Sequence, residues 1–352
     1  MDKIKERYSN FELLRIVAMI LVLIVHVLIC LPRPTTAFVI AEPFKAISFY
    51  FTDAISIICV NVFILISGWF GINLRLQRLS ILLFQVFFFA IVIWGVLVFI
   101  EPSSKHMNLQ SLTTVLMLNG SDYWFIKAYL GLYFLSPILN VFVEKVDQKY
   151  YRDILILLYI FQTIYGWFSI DGAAWIAGGY SAFSFICLYL LGRYLKKYGD
   201  TINVGGYFRI CSLSKGNLLL LFSSIVFLLT FLAYTVTYLG IPIEGRLFTY
   251  TNPLVILESI VLVLLFSKIK FKSSIINRIA FSCLAIYLLH GNELILRPYY
   301  GKWIAQWYSC ETTTSFVMRT SFLIFVVFIM AISLDQIRLV LSKIIFSKSK
   351  CV

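Results

Sequence analysis

Long apolar runs recur along the whole chain and constrain its fold more than any other feature. Runs of about 20 residues are long enough to span a membrane, and the sequence predicts ten of them, at residues 11–31, 47–70, 79–100, 123–143, 151–168, 173–192, 217–239, 250–267, 279–296 and 314–337. Of the 352 residues, 61% are hydrophobic and only 13% are charged, a balance far from that of a soluble domain. We therefore expect an all-α integral membrane protein, a bundle of about ten transmembrane helices.

The distribution of Lys and Arg predicts how the chain is oriented. Connections rich in these residues alternate with poor ones, and cytoplasmic connections carry the excess. Both terminal segments belong to the rich set, so both termini are predicted to be cytoplasmic. The net charge of +13 is explained by this topology, and we expect no nucleic-acid partner. Because the connections are short, residues 1–352 are predicted to form one transmembrane domain without a separate soluble domain, in the inner or plasma membrane.

The first predicted span contains two ionisable residues. Arg15 and His26 lie eleven residues apart, close to a whole number of helical turns, with an axial rise of about 16 Å. We expect both on one stripe, Arg15 near the cytoplasmic side and His26 in the outer half. Ionisable groups inside a span usually face the protein interior or a wet path and carry function. The alternative is that Arg15 reaches the cytoplasmic surface and His26 is a hydrogen-bonded interior residue.

Two further pairs are candidates for a binding role. Arg75 and Arg78 follow the second span just inside the cytoplasmic face, and two guanidiniums on one face suit a polyphosphate. Charge asymmetry alone also predicts them there. His290 lies near the outer end of the ninth span, with Glu293 three residues later on the same predicted helical face. The alternative for that pair is an interfacial cap wetted by the outer leaflet.

Glu258 and Lys127 also lie within predicted spans, and each needs a partner there. They are expected to pair with each other or with Arg15 and Arg319, and a purely ionic role is the alternative to a functional one. The sequence has no G-x-S-x-G elbow, no metal-spaced His or Cys cluster and no G-x-x-x-x-G-K-[ST] motif. We expect no metal, and group transfer from a cytosolic phosphorylated donor to an outside acceptor fits the remaining residues best.

Six short segments, in order along nearly the whole chain, resemble motifs of the membrane acyltransferase 3 family, whose members transfer acyl groups to cell-surface carbohydrates. The segment FELLRIVAMILVLIVH matches the family's arginine, ten residues, histidine signature at Arg15 and His26, with Glu12 where Asp is commoner. The other matches are NVFILISGWF with Ser67, Gly68 and Trp69, RLQR with Arg75 and Arg78, YWFIKAYLGLYFLSPIL with Trp124 and Phe125, LYLLGRYL with Gly192, and FSCLAIYLLHGNELI with His290.

This resemblance implies roles for the candidate residues. His26 would be a general base for the acceptor hydroxyl or a relay that carries the acyl group. Arg15 would orient the surroundings of His26 or bind the donor, and Arg75 with Arg78 would hold the phosphates of the coenzyme. The residues expected on the acceptor side are His290, Glu293 and Trp124.

The resemblance also implies substrates. The donor would be acetyl-CoA or another acyl-CoA, and the acceptor a hydroxyl of an O-antigen, capsule or exopolysaccharide, free or lipid-linked. Many members carry an extra esterase-like domain, and this chain is expected to act without one. Two other functions remain open at this point. The first is polysaccharide export without acyl transfer, and the second, weaker because the outer connections are short, is a polysaccharide polymerase or ligase.

Overall fold

The computed structural model of the protein describes residues 8–101, 111, 113, 115–118, 123–169, 176–199, 203–204, 208–209 and 212–347. Helices make up nearly all of this part of the chain, in the order α1 Asn10–Leu28, α2 Thr36–Ala41, α3 Pro43–Ile57, α4 Cys59–Phe70, α5 Leu76–Ile100, α6 Trp124–Lys145, α7 Gln148–Thr163, α8 Ala182–Tyr198, α9 Lys215–Tyr238, α10 Glu244–Leu247, α11 Pro253–Ser267, α12 Ser274–Phe281, α13 Cys283–His290, α14 Glu293–Ile295, α15 Lys302–Cys310 and α16 Thr313–Ser347. Two π-helical segments, Ile164–Phe168 and Leu296–Gly301, follow α7 and α14, and a 3-10 turn covers Ala177–Gly179. A short antiparallel hairpin pairs β1 Asn203–Val204 with β2 Phe208–Arg209.

Several of these helices are long and apolar enough to cross a membrane. Within the described residues there are six such spans, or seven if the pair Ser274–His290 and Glu293–Cys310, bent by 53°, counts as one. The expected helical membrane architecture is confirmed by these elements. The count of ten spans and the cytoplasmic position of both termini stay predictions.

The chain divides into two compact units whose segments alternate in sequence. The first unit takes the chain up to Val25 together with Arg33–Asn73 and Phe125–Asn277, and the second takes His26–Pro32, Leu74–Trp124 and the chain from Arg278 onward. Helix α1 runs unbroken through the first boundary. Arg15 therefore belongs to the first unit and His26 to the second.

Hydrogen bonds fix the start of α1 within the first unit. The backbone N–H of Ser9 donates to the carbonyl oxygen of Phe271 at 2.9 Å, and the N–H of Ser273 donates to Ser9 Oγ at 2.8 Å. Asn10 Nδ2 donates to the carbonyl oxygen of Phe266 at 2.8 Å. Because three bonds hold consecutive residues, the first turn of α1 has a defined position against the connection after α11.

Two glycines allow α4 and α8 to approach closely in the first unit. A Cβ at Gly68 would overlap the carbonyl oxygen of Tyr189, and a Cβ at Gly192 would lie 2.6 Å from the carbonyl oxygen of Leu65. Backbone therefore packs directly on backbone, as small residues permit in membrane helices. This contact places the end of α4 beside the end of α8.

A buried ion pair within α16 is hydrogen-bonded to α5 in the second unit. The Asp335 carboxylate accepts two hydrogen bonds from Arg338, each 2.9 Å long, and a third at 3.0 Å from Gln85 Nε2. Arg338 is only 2% exposed and Asp335 is fully enclosed. The three side chains satisfy one another, which a charged pair in a low-dielectric interior requires.

The ion pairs predicted for Glu258 are wrong. Its side chain is fully enclosed in α11, and neither carboxyl oxygen has a hydrogen-bond partner within the described residues. Arg15 pairs with Glu12 instead, and Arg319 pairs with Glu311 at 3.1 Å. Each of these arginines is thus paired with an acid close to it in sequence. Assigning charged residues to predicted spans was not enough to identify these partners.

Candidate active site

Two histidines from distant parts of the sequence meet in the second unit. The ring centroids of His26 and His290 are 4.7 Å apart, and the ring planes are inclined by 56°. His26 is partly exposed near the end of α1, whereas His290, the last residue of α13, is 1% exposed. His26 is therefore the less enclosed residue of the pair.

Backbone contact fixes the tautomer of His290. Its Nδ1 contacts the carbonyl oxygen of Ile286 one helical turn earlier, and because a carbonyl can only accept, Nδ1 carries the hydrogen of the neutral ring. Nε2 then has a free lone pair, and this enclosed atom has no hydrogen-bond partner within the described residues. His26 Nδ1 is also enclosed without a partner there. The pair thus presents two ring nitrogens that no group of the described residues engages, as groups that handle a proton require.

Tyrosine rings surround the two imidazoles. Tyr287 lies 6.4 Å from both His26 and His290, and Tyr300 lies 6.0 Å from His290, measured between ring centroids. Both tyrosines are buried. Next to Tyr300, a Cβ at Gly301 would lie 3.0 Å from Cys30 Sγ, so the π-helical segment packs against the chain just after α1. These contacts hold the end of α1 against the segment that follows His290.

A hydrogen-bond network fixes the helix break beside His290. The Tyr123 hydroxyl donates to the carbonyl oxygen of Leu288 and accepts from Asn292 Nδ2, both at 2.7 Å. Asn292 Oδ1 accepts from the N–H of Leu294 at 3.0 Å, capping α14. Tyr123 adopts a positive φ of 46°, which is costly for a bulky residue and persists only where its surroundings enforce it. The network therefore sets where α13 ends.

This break corrects the predicted relation between His290 and Glu293. The two residues do not share one helical face, because α13 ends at His290 and α14 begins at Glu293. Glu293 Oε2 instead forms an ion pair with Arg297 Nε at 3.0 Å. Trp124, the third residue expected on the acceptor side, is half-buried at the start of α6, directly after Tyr123.

Arg15 lies in the first unit and is already engaged. Its Nη1 is 2.7 Å from Glu12 Oε1, one helical turn earlier, and its Cζ lies 5.9 Å from the ring centroid of Phe70. About a quarter of the side chain is exposed, at 25%. Helix α1 thus provides both Arg15 and its counter-charge, Glu12. The exposed part of the Arg15 side chain can still contact a second anion.

Arg75 and Arg78 belong to the start of α5, not to the end of the preceding span. Helix α4 ends at Phe70, and Gly71, with a φ of 76°, stops it, since few other residues adopt that conformation without strain. Arg75 is then the N-cap of α5 and Arg78 lies in its first turn, both exposed. A helix N-terminus carries partial positive charge and free N–H groups, so the two guanidiniums add to an anion-attracting position.

Arg75 and Arg78 lie at the start of α5, whereas the segment that follows His290 contacts the residue after its other end. At the C-terminal end, the Tyr299 hydroxyl donates to Glu101 Oε1 at 2.6 Å, which holds the segment after His290 there. The 25 residues of α5 make a helix about 37 Å long. A single ligand that reached both ends would have to be long and thin.

The comparison with protein families decides the broader assignment. A family model described as an acyltransferase domain matches residues 8–335. The chain belongs to the acyltransferase 3 family. This assignment confirms the resemblance drawn from the motifs, and with the apolar helices it makes the chain a multi-pass membrane acyltransferase. No curated protein and no solved structure matches the chain.

Sequence reasoning missed the residues that support the histidine pair. Tyr123 and Asn292 carry the network at the break, and one local signal was visible, since Gly291 and Asn292 are typical of a helix end followed by a new N-cap. Nothing local marked Tyr123, because its partners are far away in sequence. Arg193, whose guanidinium lies against Gly71, was also missed.

Proposed function

We propose that this acyltransferase 3 family member is an O-acetyltransferase that moves an acetyl group from cytosolic acetyl-CoA to a hydroxyl of a surface or exported polysaccharide. The observation that carries the proposal is the contact between His26 and His290, two imidazoles 4.7 Å apart between centroids. Imidazole is the side chain best suited to take and return a proton near neutral pH. The family membership supplies acyl transfer as the class of reaction.

In the proposed reaction, His26 is the general base. The acceptor hydroxyl oxygen attacks the thioester carbonyl carbon while His26 takes the hydroxyl proton, and an ester C–O bond forms as the C–S bond breaks. The proton then passes from His26 to the coenzyme sulfur, which leaves as the thiol. His26, the less enclosed residue of the pair, suits this role better than the buried His290. In a relay variant, His26 itself would carry the acetyl group between donor and acceptor.

His290 is assigned as the partner of the base. Its Nδ1 hydrogen is committed to Ile286, so Nε2 is left as an acceptor. A hydrogen bond accepted there would stabilise the imidazolium that forms on His26, as a second group often does for a catalytic histidine. The network of Tyr123 and Asn292 would keep His290 in place.

The arginines are assigned to the donor. The exposed start of α5 favours Arg75 and Arg78 as ligands for the coenzyme phosphates, because guanidinium forks match phosphate oxygens. Arg15 is assigned to the donor as well, and Glu293 and Trp124 to the acceptor side.

The test is mass spectrometry of surface glycans from cells with the gene, without it, and with a His26→Gln copy. The proposal predicts that one acetyl increment per repeat unit is lost in the deletion strain and restored by the natural copy but not by the variant. A polymer of unchanged mass and reduced surface amount would favour export instead. Unchanged mass and amount would contradict both functions.

A further inference from the structure

Arg193 has no hydrogen bond and no ion pair within the described part of the chain. It lies in α8 with an intermediate exposure, and its Nε is fully enclosed without a partner. A guanidinium has five N–H donors, and enclosing them unbonded is costly. An arginine that is present only because cytoplasmic connections are rich in basic residues is expected to be exposed and paired. Arg152 is an example, since its side chain is exposed and paired with Asp153. The described residues therefore leave the enclosed Nε of Arg193 without a hydrogen-bond acceptor.

Three cations of the first unit contact three successive residues at the end of α4. A Cβ on Gly71 would lie 2.9 Å from Arg193 Nη1 and 3.4 Å from its Cζ, so the guanidinium covers this glycine. Lys196 Nζ is 5.1 Å from the ring centroid of Trp69, and Arg15 contacts Phe70. Arg193 and Lys196 are one turn apart and share a helical face. Their charged groups converge on the same short stretch of chain.

The negative charge at this position neutralises only one of the three cations. The carboxylate of Glu12 forms an ion pair with Arg15. No ion pair reaches Arg193 or Lys196 from the residues that the structure describes. The positive charges of Arg193 and Lys196 thus repel each other unless an anion binds between them.

The backbone beside Arg193 is held in place. The Tyr189 hydroxyl accepts from the N–H of Ile72 at 3.0 Å and donates to Asn140 Oδ1 at 2.6 Å. Asn140 Nδ2 in turn donates to the carbonyl oxygen of Ile72 at 2.8 Å. Tyr189 and Asn140 therefore fix the turn that follows α4. Because this turn is fixed, the neighbouring cations need little reorganisation to bind a ligand.

We propose that Arg193 and Lys196 form a phosphate-binding site at the joined ends of α8 and α4. A guanidinium binds two phosphate oxygens in a fork and an ammonium adds a point charge, so the pair matches one phosphate group. The phosphate belongs to the acyl-CoA donor, a step that rests on the proposed function, or to an anionic lipid headgroup. Both sources present the same chemistry to the two side chains.

The experiment is calorimetric titration of coenzyme A into the full-length protein in nanodiscs of phosphatidylcholine. Arg193→Gln and Lys196→Gln are compared with Arg152→Gln, which removes one positive charge from an exposed pair of the same unit. Loss of a charge-assisted contact predicts that Kd rises about ten-fold or more for Arg193→Gln, and the control should stay within about two-fold. Arg193→Lys keeps the charge without the fork and is expected to fall between the two.

A second arm separates the two sources of phosphate. The thermal midpoint of each variant is measured in nanodiscs with and without phosphatidylglycerol. One outcome is that the anionic lipid raises the thermal midpoint only when Arg193 is present and that the natural protein does not bind coenzyme A. This outcome supports a phosphate site occupied by lipid and contradicts the proposed donor. Coenzyme affinity and lipid stabilisation that are both unchanged in Arg193→Gln would overturn the site, even if glycan acetylation proceeds normally.

Discussion

The imidazole rings of His26 and His290 lie 4.7 Å apart between centroids, one at the end of the first long helix and the other at the end of α13. The contact exists because two helices end at the same place. What fixes those ends, namely the network around Asn292 and the packing of Gly301 on Cys30, is therefore as important as the histidines themselves.

His290→Gln is expected to lower acyl transfer by about a hundred-fold or more, because an amide cannot take up the proton-handling role of imidazole. Arg319→Gln is the control variant in the same unit. Its exposed side chain is paired with Glu311 and has no assigned role in the site, so most of the activity should remain. Turnover by purified protein, followed as thiol release from acetyl-CoA, checks both. Equal losses for the two variants would argue against a special role for His290.

Tyr123→Phe should disturb the position of His290 without touching either ring. It removes the hydroxyl between Leu288 and Asn292 and leaves a buried amide unpaired, at a cost of about 1–3 kcal/mol. We expect a lower thermal midpoint and a loss in turnover of about ten-fold or more, since small displacements of catalytic groups are costly. Tyr299→Phe, which loses one part-buried bond to Glu101, is the control. A Tyr123→Phe protein as active as this control would show that the network does not position the site.

The sequence predicted the helical membrane class and the family, because both depend on features repeated along the chain. It also singled out Arg15 and His26 as a helical pair, and the unbroken α1 confirms that one helix carries both. The distance from His26 to His290 could not be predicted, since it depends on where α13 stops. That point is set by Tyr123, whose partners are far away in sequence. The functional roles of these residues stay predictions.

Gly68→Ala should loosen the contact between α4 and α8. The added methyl group would overlap the carbonyl oxygen of Tyr189, which is backbone and cannot swing away. Overpacking of this kind typically costs about 1–3 kcal/mol, so the thermal midpoint in detergent should fall. Gly95→Ala in α5 is the matched control, because its Cβ would meet nothing within 4 Å. A midpoint that falls equally in both variants would contradict close backbone packing at Gly68.

Asp335→Asn tests the buried ion pair of the second unit. The change leaves the enclosed Arg338 without its counter-charge, and breaking a buried pair in this way costs about 3–5 kcal/mol. Asp153→Asn removes the partner of the exposed Arg152 and should change the stability little, because water and salt screen an exposed pair. Unfolding of both variants in mixed detergent micelles gives the comparison. A similar, small loss in each would mean that the pair contributes little to the second unit.

The most direct test of the account is the rate of acetyl transfer from acetyl-CoA to an acceptor glycan by purified His26→Gln protein. The chain has three histidines, so His106→Gln, outside the described residues and without an assigned role, controls for histidine replacement as such. We predict that His26→Gln keeps the elution profile and thermal midpoint of the natural protein and loses about 10²–10⁴-fold in rate, while His106→Gln stays fully active. A His26→Gln protein that folds and transfers acetyl groups at the natural rate would contradict the central claim.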